Sequence, residues 1–417
     1  VRAASASIRW ASAGGGGGSQ RMTAHPSSSP HRLSVAPMMD VTDVHFRQLS
    51  RLLSKHTRLY TEMVVDSTLI FNEKAIRRSL DFPVEQHPIA LQLGGSDPEQ
   101  LHKAARIALP YGYDEINLNV GCPSPKVAGK GCFGAALMQS PAQVGEAMAA
   151  ISEAAAGAGE AAPETTVKCR IGVDDRDSYE ELCEFVETVH AASPATRTFI
   201  IHARKAILSG LSPAQNRSVP PLKHAHVHAL ARDFPHLRFV LNGGIEGCYQ
   251  AAAAIDHLPP GGGAIEGAMM GRAPMNDLWG SLADADRAVF GCEENASRSR
   301  REALEAYAVY AGQVQGTFGE GARGRGPHPG VRLLMMPALA LFHGVPGGKR
   351  WRRAVDTVLL RATRGEGGAT SVADVLAQTL EQSLAPEVLD APTLHPSALP
   401  LPKRVSETLA PTAAAVS

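Results

Sequence analysis

The chain of 417 residues lacks most of the features that announce a simple class of protein. It has no net charge, since lysine plus arginine and aspartate plus glutamate both number 41. A uniformly basic nucleic-acid binder is thereby excluded, and a polyanionic partner must be met by a local basic face. No apolar run approaches the ~20 residues that span a bilayer, so no membrane partner is expected. The six cysteines, Cys122, Cys132, Cys169, Cys183, Cys248 and Cys292, are scattered without C-x-x-C spacing. Such spacing specifies neither a disulfide framework nor a zinc site; no metal is expected, and a reducing compartment is. Aromatics make up only 5%, although 44% apolar content leaves ample material for a core. A G-x-G-x-x-G dinucleotide fingerprint is absent from the places where it would be needed. Residues 1–39 contain no Asp or Glu but carry Arg2, Arg9, Arg21 and Arg32 among many Ser and Ala. Residues 1–32 therefore read as a disordered leader with the composition of a chloroplast or mitochondrial transit peptide; a GC-biased leader on a cytoplasmic protein is the alternative.

What is present begins at Leu33 as a regular beat of short apolar strand, polar strand end and helix-length segment. The strands read as 33–37, 58–61, 89–93, 115–119, 166–170, 198–202, 238–242 and 264–270. Eight β-rich runs alternating with helical segments predict a parallel sheet closed into a (β/α)8 TIM barrel over residues 33–292. Polar residues recur at or just beyond the strand ends: Asp40, Glu62, Gln92, Asn119, Lys168, Arg170, His202, Asn242 and Arg272. In a barrel those ends converge on one mouth, where this fold keeps its active site. Taken alone, a residue such as His202 is an ordinary structural histidine; the regular recurrence is the signal.

The densest stretch is D-E-I-N-L-N-V-G-C-P-S-P at 114–125. Ile116, Leu118 and Val120 alternate with Asn117 and Asn119, the period of a strand, and two asparagines in so apolar a strand need partners. Cys122 follows Gly121 and is pinned by Pro123, which presents a thiol on a rigid turn at a strand's carboxyl end. A small buried hydrophobe is the plain alternative for such a cysteine. N-G-G-I at 242–245 and M-G-R-A at 270–273 follow strands seven and eight, the usual phosphate corner of the fold, where glycines let backbone N–H groups approach phosphate oxygens. A phosphorylated cofactor is implied.

After residue 290 the rhythm changes to helical spacing, as in Leu304, Tyr307, Ala308, Ala311 and Val314, and a helical domain is expected over 293–390. In the segment 349–364, Lys349, Arg352 and Arg353 fall on one face, opposite Trp351, Val355 and Val358. A solvated surface is the ordinary meaning of a basic helix face. Residues 391–417, rich in Pro, Ala and Ser, read as a disordered tail.

Together these stretches resemble the tRNA-dihydrouridine synthases, most closely their A-type (20/20a) subfamily. The likeness rests on A-P-M-M-D at 36–40, Y-T-E-M-V at 60–64, A-L-Q-L-G-G at 90–95, N-L-N-V-G-C-P-S at 117–124 and V-K-C-R-I-G at 167–172. It continues through I-H-A-R-K-A at 201–206, L-S-G-L-S-P at 208–213, N-G-G-I at 242–245 and L-F-H-G-V-P-G-G-K-R-W-R-R at 341–353. The resemblance implies a monomeric flavoenzyme that reduces D-loop uridines of tRNA with NADPH. By matching positions, it implies FMN contacts at Pro37, Met38, Met39, Gln92, Lys168, His202, Asn242, Gly243, Gly244, Gly271 and Arg272. It implies Cys122 as proton donor, and Asn119, Arg217, Lys349 and Arg352 facing tRNA. Ala214 and Met336 depart from the pattern, standing where it carries a lysine and commonly an arginine. Three rival readings remain open: a flavin barrel acting on a free pyrimidine, a phosphosugar barrel enzyme, and a non-catalytic RNA-binding barrel.

Overall fold

Strand-forming runs rich in Val, Ile, Leu and Phe fold into eight parallel strands, seen in a computed structural model that describes residues 9–11, 29–124, 133–315, 330–366 and 368–393. The strands are β1 Leu33–Val35, β2 Arg58–Val65, β3 Ile89–Gly94, β4 Glu115–Val120, β5 Glu164–Arg170, β6 Thr198–His202, β7 Arg238–Asn242 and β8 Gly267–Met270. Each pairs in parallel with its successor, and β8 pairs with β1, so the barrel closes and leaves no edge. All eight expected strands are present. The largest difference is β2, which runs on to Val65 through a register shift between Tyr60 and Met63. Such bulges re-aim side chains beside functional sites.

Outward-facing residues of the strands, Leu91, Ile116, Leu118, Val167, Phe199 and Leu241 among them, are fully buried beneath the surrounding helices. Those helices include α1 Val44–Leu53, α2 Pro98–Ala108, α3 Pro141–Ala156, α4 Tyr179–Ala192, α5 His224–Asp233 and α6 Cys248–Asp256. Their starts follow from local chemistry. Asp43 accepts the N–H groups of His45 and Phe46 at α1, Asp97 caps α2 with Pro98 at its first turn, and Ser178 with Glu181 forms a capping box at α4.

The inside of the barrel is layered. Ala36, Tyr60, Ala90, Ile200, Val240 and Met269 form a small apolar layer across it. Below that layer, at the amino ends of the strands, lies an ionic plug. Arg58 Nη1 donates to Glu115 Oε2 at 2.6 Å, and the Tyr60 hydroxyl donates to Glu115 Oε1 at 2.7 Å. Glu164 meets His31 at 2.7 Å and Arg238 at 2.6 Å. His31 is fully buried in this plug, and Trp10–Ala11 pairs antiparallel with Phe82–Pro83. Two pieces of the expected 1–32 leader thus belong to the folded protein, because His31 supplies Glu164 with a partner. The remainder of that leader, apart from residues 9 and 29–32, lies outside the described residues.

Beyond the barrel, α7 Arg300–Val314, α8 Gly348–Thr363 and α9 Val372–Ser383 form the core of the C-terminal helices. They lean on α1, where Tyr310 Oη lies 2.9 Å from His45 Nδ1. Arg300 also stacks over Trp279 at 4.8 Å, tying α7 to the last turns of the barrel. Trp351, fully buried, donates its indole N–H to Thr379 Oγ1 at 3.1 Å and joins α8 to α9. Thr393 still contacts Asn295, at 2.9 Å; residues 394–417 of the expected tail lie outside the described residues.

Candidate active site at the barrel mouth

The alternation that buries Ile116, Leu118 and Val120 against helices turns Asn117 and Asn119 inward. There they join an amide chain. Asn119 Nδ2 donates to Gln92 Oε1 at 3.1 Å, Gln92 Nε2 donates to Asn117 Oδ1 at 2.8 Å, and Asn117 Nδ2 donates to Thr166 Oγ1 at 2.7 Å. Every amide in this chain thereby finds the partner that burial demands. Asn119 then accepts the backbone N–H groups of Gly121 and Cys122, both at 3.0 Å, through its Oδ1. The side chain expected to face RNA is buried and holds the turn that carries the thiol.

Arg170 fastens the same turn from the other side. Its guanidinium is buried and donates to the carbonyls of Gly121 at 2.9 Å and of Lys205 and Asn216 at 3.0 Å each. Burial lowers its pKa to about 10. Arg170 was visible in the sequence only as one of the recurring strand-end polar residues. Its place two residues beyond Lys168, on the same face of β5, is the signal that marks it as part of the site. Cys132, the other cysteine of this loop, lies outside the described residues.

Lys168 projects between β4 and β6 toward β7, its Nζ donating to Asn242 Oδ1 at 3.1 Å. Burial, reinforced by Arg170, lowers its pKa to about 8. His202 is held neutral, its pKa driven well down by burial and then by Arg170, Lys168, Arg204 and Arg272. Burial and Arg272 also lower both Arg204 and Arg217. Among the described residues, none of Lys168, Arg170, Arg204, Arg217 and Arg272 has a carboxylate partner within ion-pair distance. Cations that crowd one another without counter-charge are a site waiting for an anion.

The glycine corner completes it. Gly243 and Gly244 adopt φ of 107° and 79°, and a Cβ on Gly243 would lie 2.7 Å from the His202 ring. A side chain at Gly243 would therefore be strained and would also collide with the imidazole. His224 Nε2 lies 2.8 Å from the Gly243 carbonyl and fixes this turn. After β8, Gly271 leads into the turn at Arg272, whose Nη2 donates to the Arg217 carbonyl at 2.8 Å. The expected phosphate-side arginine and one expected RNA-side arginine are thus directly joined.

Pro37, Met38 and Met39 lie in the loop after β1. Met38 packs against the core, whereas Met39 is 53% exposed and turns toward a neighbouring cavity. Lys349 and Arg352 are on α8, away from the barrel interior; both are exposed, with Trp351, Val355 and Leu359 on the buried side, as the spacing requires. Gln92, Lys168, His202, Asn242, Gly243, Gly244, Gly271 and Arg272 all fall at the mouth, together with Cys122.

Fold and mouth define an α/β barrel that sets cations without carboxylate partners, among the described residues, beside a thiol. The chain belongs to the dihydrouridine synthase (Dus) family, oxidoreductases of uridine, whose family model matches residues 34–377. Similar proteins bear the name tRNA-dihydrouridine(20/20a) synthase. That of Escherichia coli O6:H1 is 42% identical over 330 residues, 79% of this chain and 90% of its own length. That of Synechocystis is 41% identical over 338 residues, 81% of this chain and 92% of its own. That of Vibrio cholerae is 42% identical over 325 residues, covering 78% and 90%.

Proposed function

We propose that the protein reduces the 5,6 double bond of D-loop uridines of tRNA, about positions 20 and 20a, to 5,6-dihydrouridine, with FMN as bound cofactor and NADPH as reductant. The observation that carries this reading is the fixed Cys122 turn set beside cations that have no carboxylate partners. Adding hydrogen across that bond requires a hydride at C6 and a proton at C5. Side chains do not donate hydride; FMN, held at the mouth, would supply it.

The mouth fits such a cofactor. Gly243, Gly244, Gly271 and Arg272 would hold its phosphate, and Lys168, with the neutral His202 and Gln92, would meet the polar edge of its ring. Pro37 and Met38 would flank the ring, with Met39 at its outer margin. Cys122 holds the proton for C5. Asn119 and Arg170 fix its turn, so the thiol acts as a general acid held by geometry. A uridine reaching this mouth leaves its stack, at a cost of a few kcal/mol. Arg217 beside the mouth and Lys349 and Arg352 on α8 would offset that cost by meeting RNA phosphates.

The test begins with the purified protein, which should be yellow and release FMN on heating. With NADPH and tRNA lacking dihydrouridine, mass spectrometry should find the modified base at position 20 or 20a. A colourless protein that accepts no added FMN, or a flavoprotein that leaves tRNA unchanged, would refute the proposal.

A further inference from the structure

Arg170 joins two parts of the mouth that lie far from it in the chain, on either side. Its Nε donates to the carbonyl of Gly121, 49 positions before it, on the turn that carries Cys122. From the other end of the fork, Nη1 donates to the carbonyls of Lys205 and Asn216, both at 3.0 Å. Both hydrogens of Nη1 are thereby spent on the backbone.

Each of the two segments is held as a unit. A Cβ on Gly121 would lie 3.3 Å from the backbone of Cys169, so the turn sits tightly on β5. Asn119 takes the N–H groups of Gly121 and Cys122, while Arg170 takes the Gly121 carbonyl. The second segment, 205–217, is built around Asn216, which is fully buried. Asn216 Oδ1 accepts the N–H of Ile207 at 2.7 Å, and its Nδ2 donates to the Ile207 carbonyl at 2.9 Å. The next N–H, of Leu208, is accepted by Asp174 at 2.9 Å. Arg217 follows Asn216 directly, so Arg170 grips the backbone one residue before the arginine beside the mouth. Three carbonyls from two segments thus meet one planar side chain. A guanidinium can serve them because its donors point in fixed directions, whereas an ammonium is a single point.

We propose that Arg170 is a positioning residue that keeps the acid and the RNA grip in register. It sets the separation between the Cys122 thiol and Arg217, so that a uridine held through its phosphate by Arg217 presents C5 to the thiol. The proposal rests on the tRNA-reduction reading, with Cys122 as the acid. Register matters on this scale, because a displacement of about 1 Å can cost about 10²-fold in rate.

The experiment is a double-mutant cycle read by single-turnover reduction of tRNA, using NADPH-reduced holoenzyme and varied tRNA concentration. Arg217→Ala alone should lower the limiting rate about tenfold and raise the half-saturating tRNA concentration. Arg170→Met alone should lower the limiting rate about 10²-fold. Added to Arg170→Met, Arg217→Ala should still weaken half-saturation yet lower the limiting rate less than twofold, since the register it served is gone. Arg170→Lys, which keeps the charge but not the fork, should stay at least tenfold below wild type. It carries the same cycle if Arg170→Met does not fold. Limiting-rate losses that multiply across the two sites would overturn the proposal and leave Arg170 a support of the turn alone. Full rate in Arg170→Lys would overturn it too, because charge would then suffice. So would a lowered Tm with an unchanged limiting rate, which would make the residue structural only. A wild-type enzyme that forms no dihydrouridine, or a fully active Cys122→Ala variant, would instead remove the reading beneath the proposal.

Discussion

At the base of the barrel, Arg58 and Arg238 each lie 2.6 Å from a glutamate, and His31 closes the arrangement. At the mouth, among the described residues, Lys168 has only an amide oxygen and Arg170 only backbone carbonyls. Both ends bury cations in one protein interior, yet only the base neutralises them. Paired buried charges hold a shape, because breaking one leaves its partner stranded. Unpaired ones hold their charge at a cost that a ligand can recover. The difference separates the end that builds the barrel from the end that uses it.

The largest effect should come from the thiol at the mouth. Cys122→Ala should retain flavin and accept hydride from NADPH, yet lose about 10²–10⁴-fold in dihydrouridine formation, the usual contribution of a positioned acid. Cys132→Ala should lose little; the reverse outcome would move the acid to the other cysteine.

At the base, Arg58→Met strands a glutamate with no solvent exposure and should cost about 3–5 kcal/mol in chemical denaturation. Adding Glu115→Gln should restore part of that loss. A smaller effect is expected on α8. Lys349→Glu with Arg352→Glu should raise the KM for tRNA about tenfold and flatten its salt dependence, while flavin reduction by NADPH keeps its rate. Unaltered tRNA binding would make this face a solvated surface only.

Acid should act on the base first. Burial alone would raise the Glu164 carboxyl, but the hydrogen bond and charge of His31 outweigh it and hold the group well below its ordinary value of 4.5. A carboxylate depressed in the folded state contributes stability above its unfolded pKa and loses it as pH falls. Stability should therefore decline as pH drops below about 4.5, and less so in Glu164→Gln.

Much of this was legible in the sequence. The eight strands follow from alternation, and the residues of the mouth follow from polar residues at strand ends. The ionic plug was not, because Arg58 and Glu115 stand 57 positions apart and each reads as an ordinary polar residue in its own strand. Asn119 was assigned to face tRNA through the resemblance, and its motif says nothing of the two backbone N–H groups it accepts two and three residues on. His31 was hidden in a segment of leader-like composition, where only its tertiary partner Glu164 reveals it.

The contrast between the two ends is tested most directly at Lys168. A lysine with a folded pKa of about 8 against 10.5 unfolded binds its proton less well when folded. Stability then rises with pH between those values, so at neutral pH the charged lysine costs the flavin-free protein stability. Titrating FMN into flavin-free wild type and Lys168→Met, with the Tm of each recorded, should show FMN affinity reduced at least tenfold and an unbound Tm that is equal or higher. An undiminished FMN affinity with a lowered Tm would contradict the account, since Lys168 would then be a structural cation like those at the base.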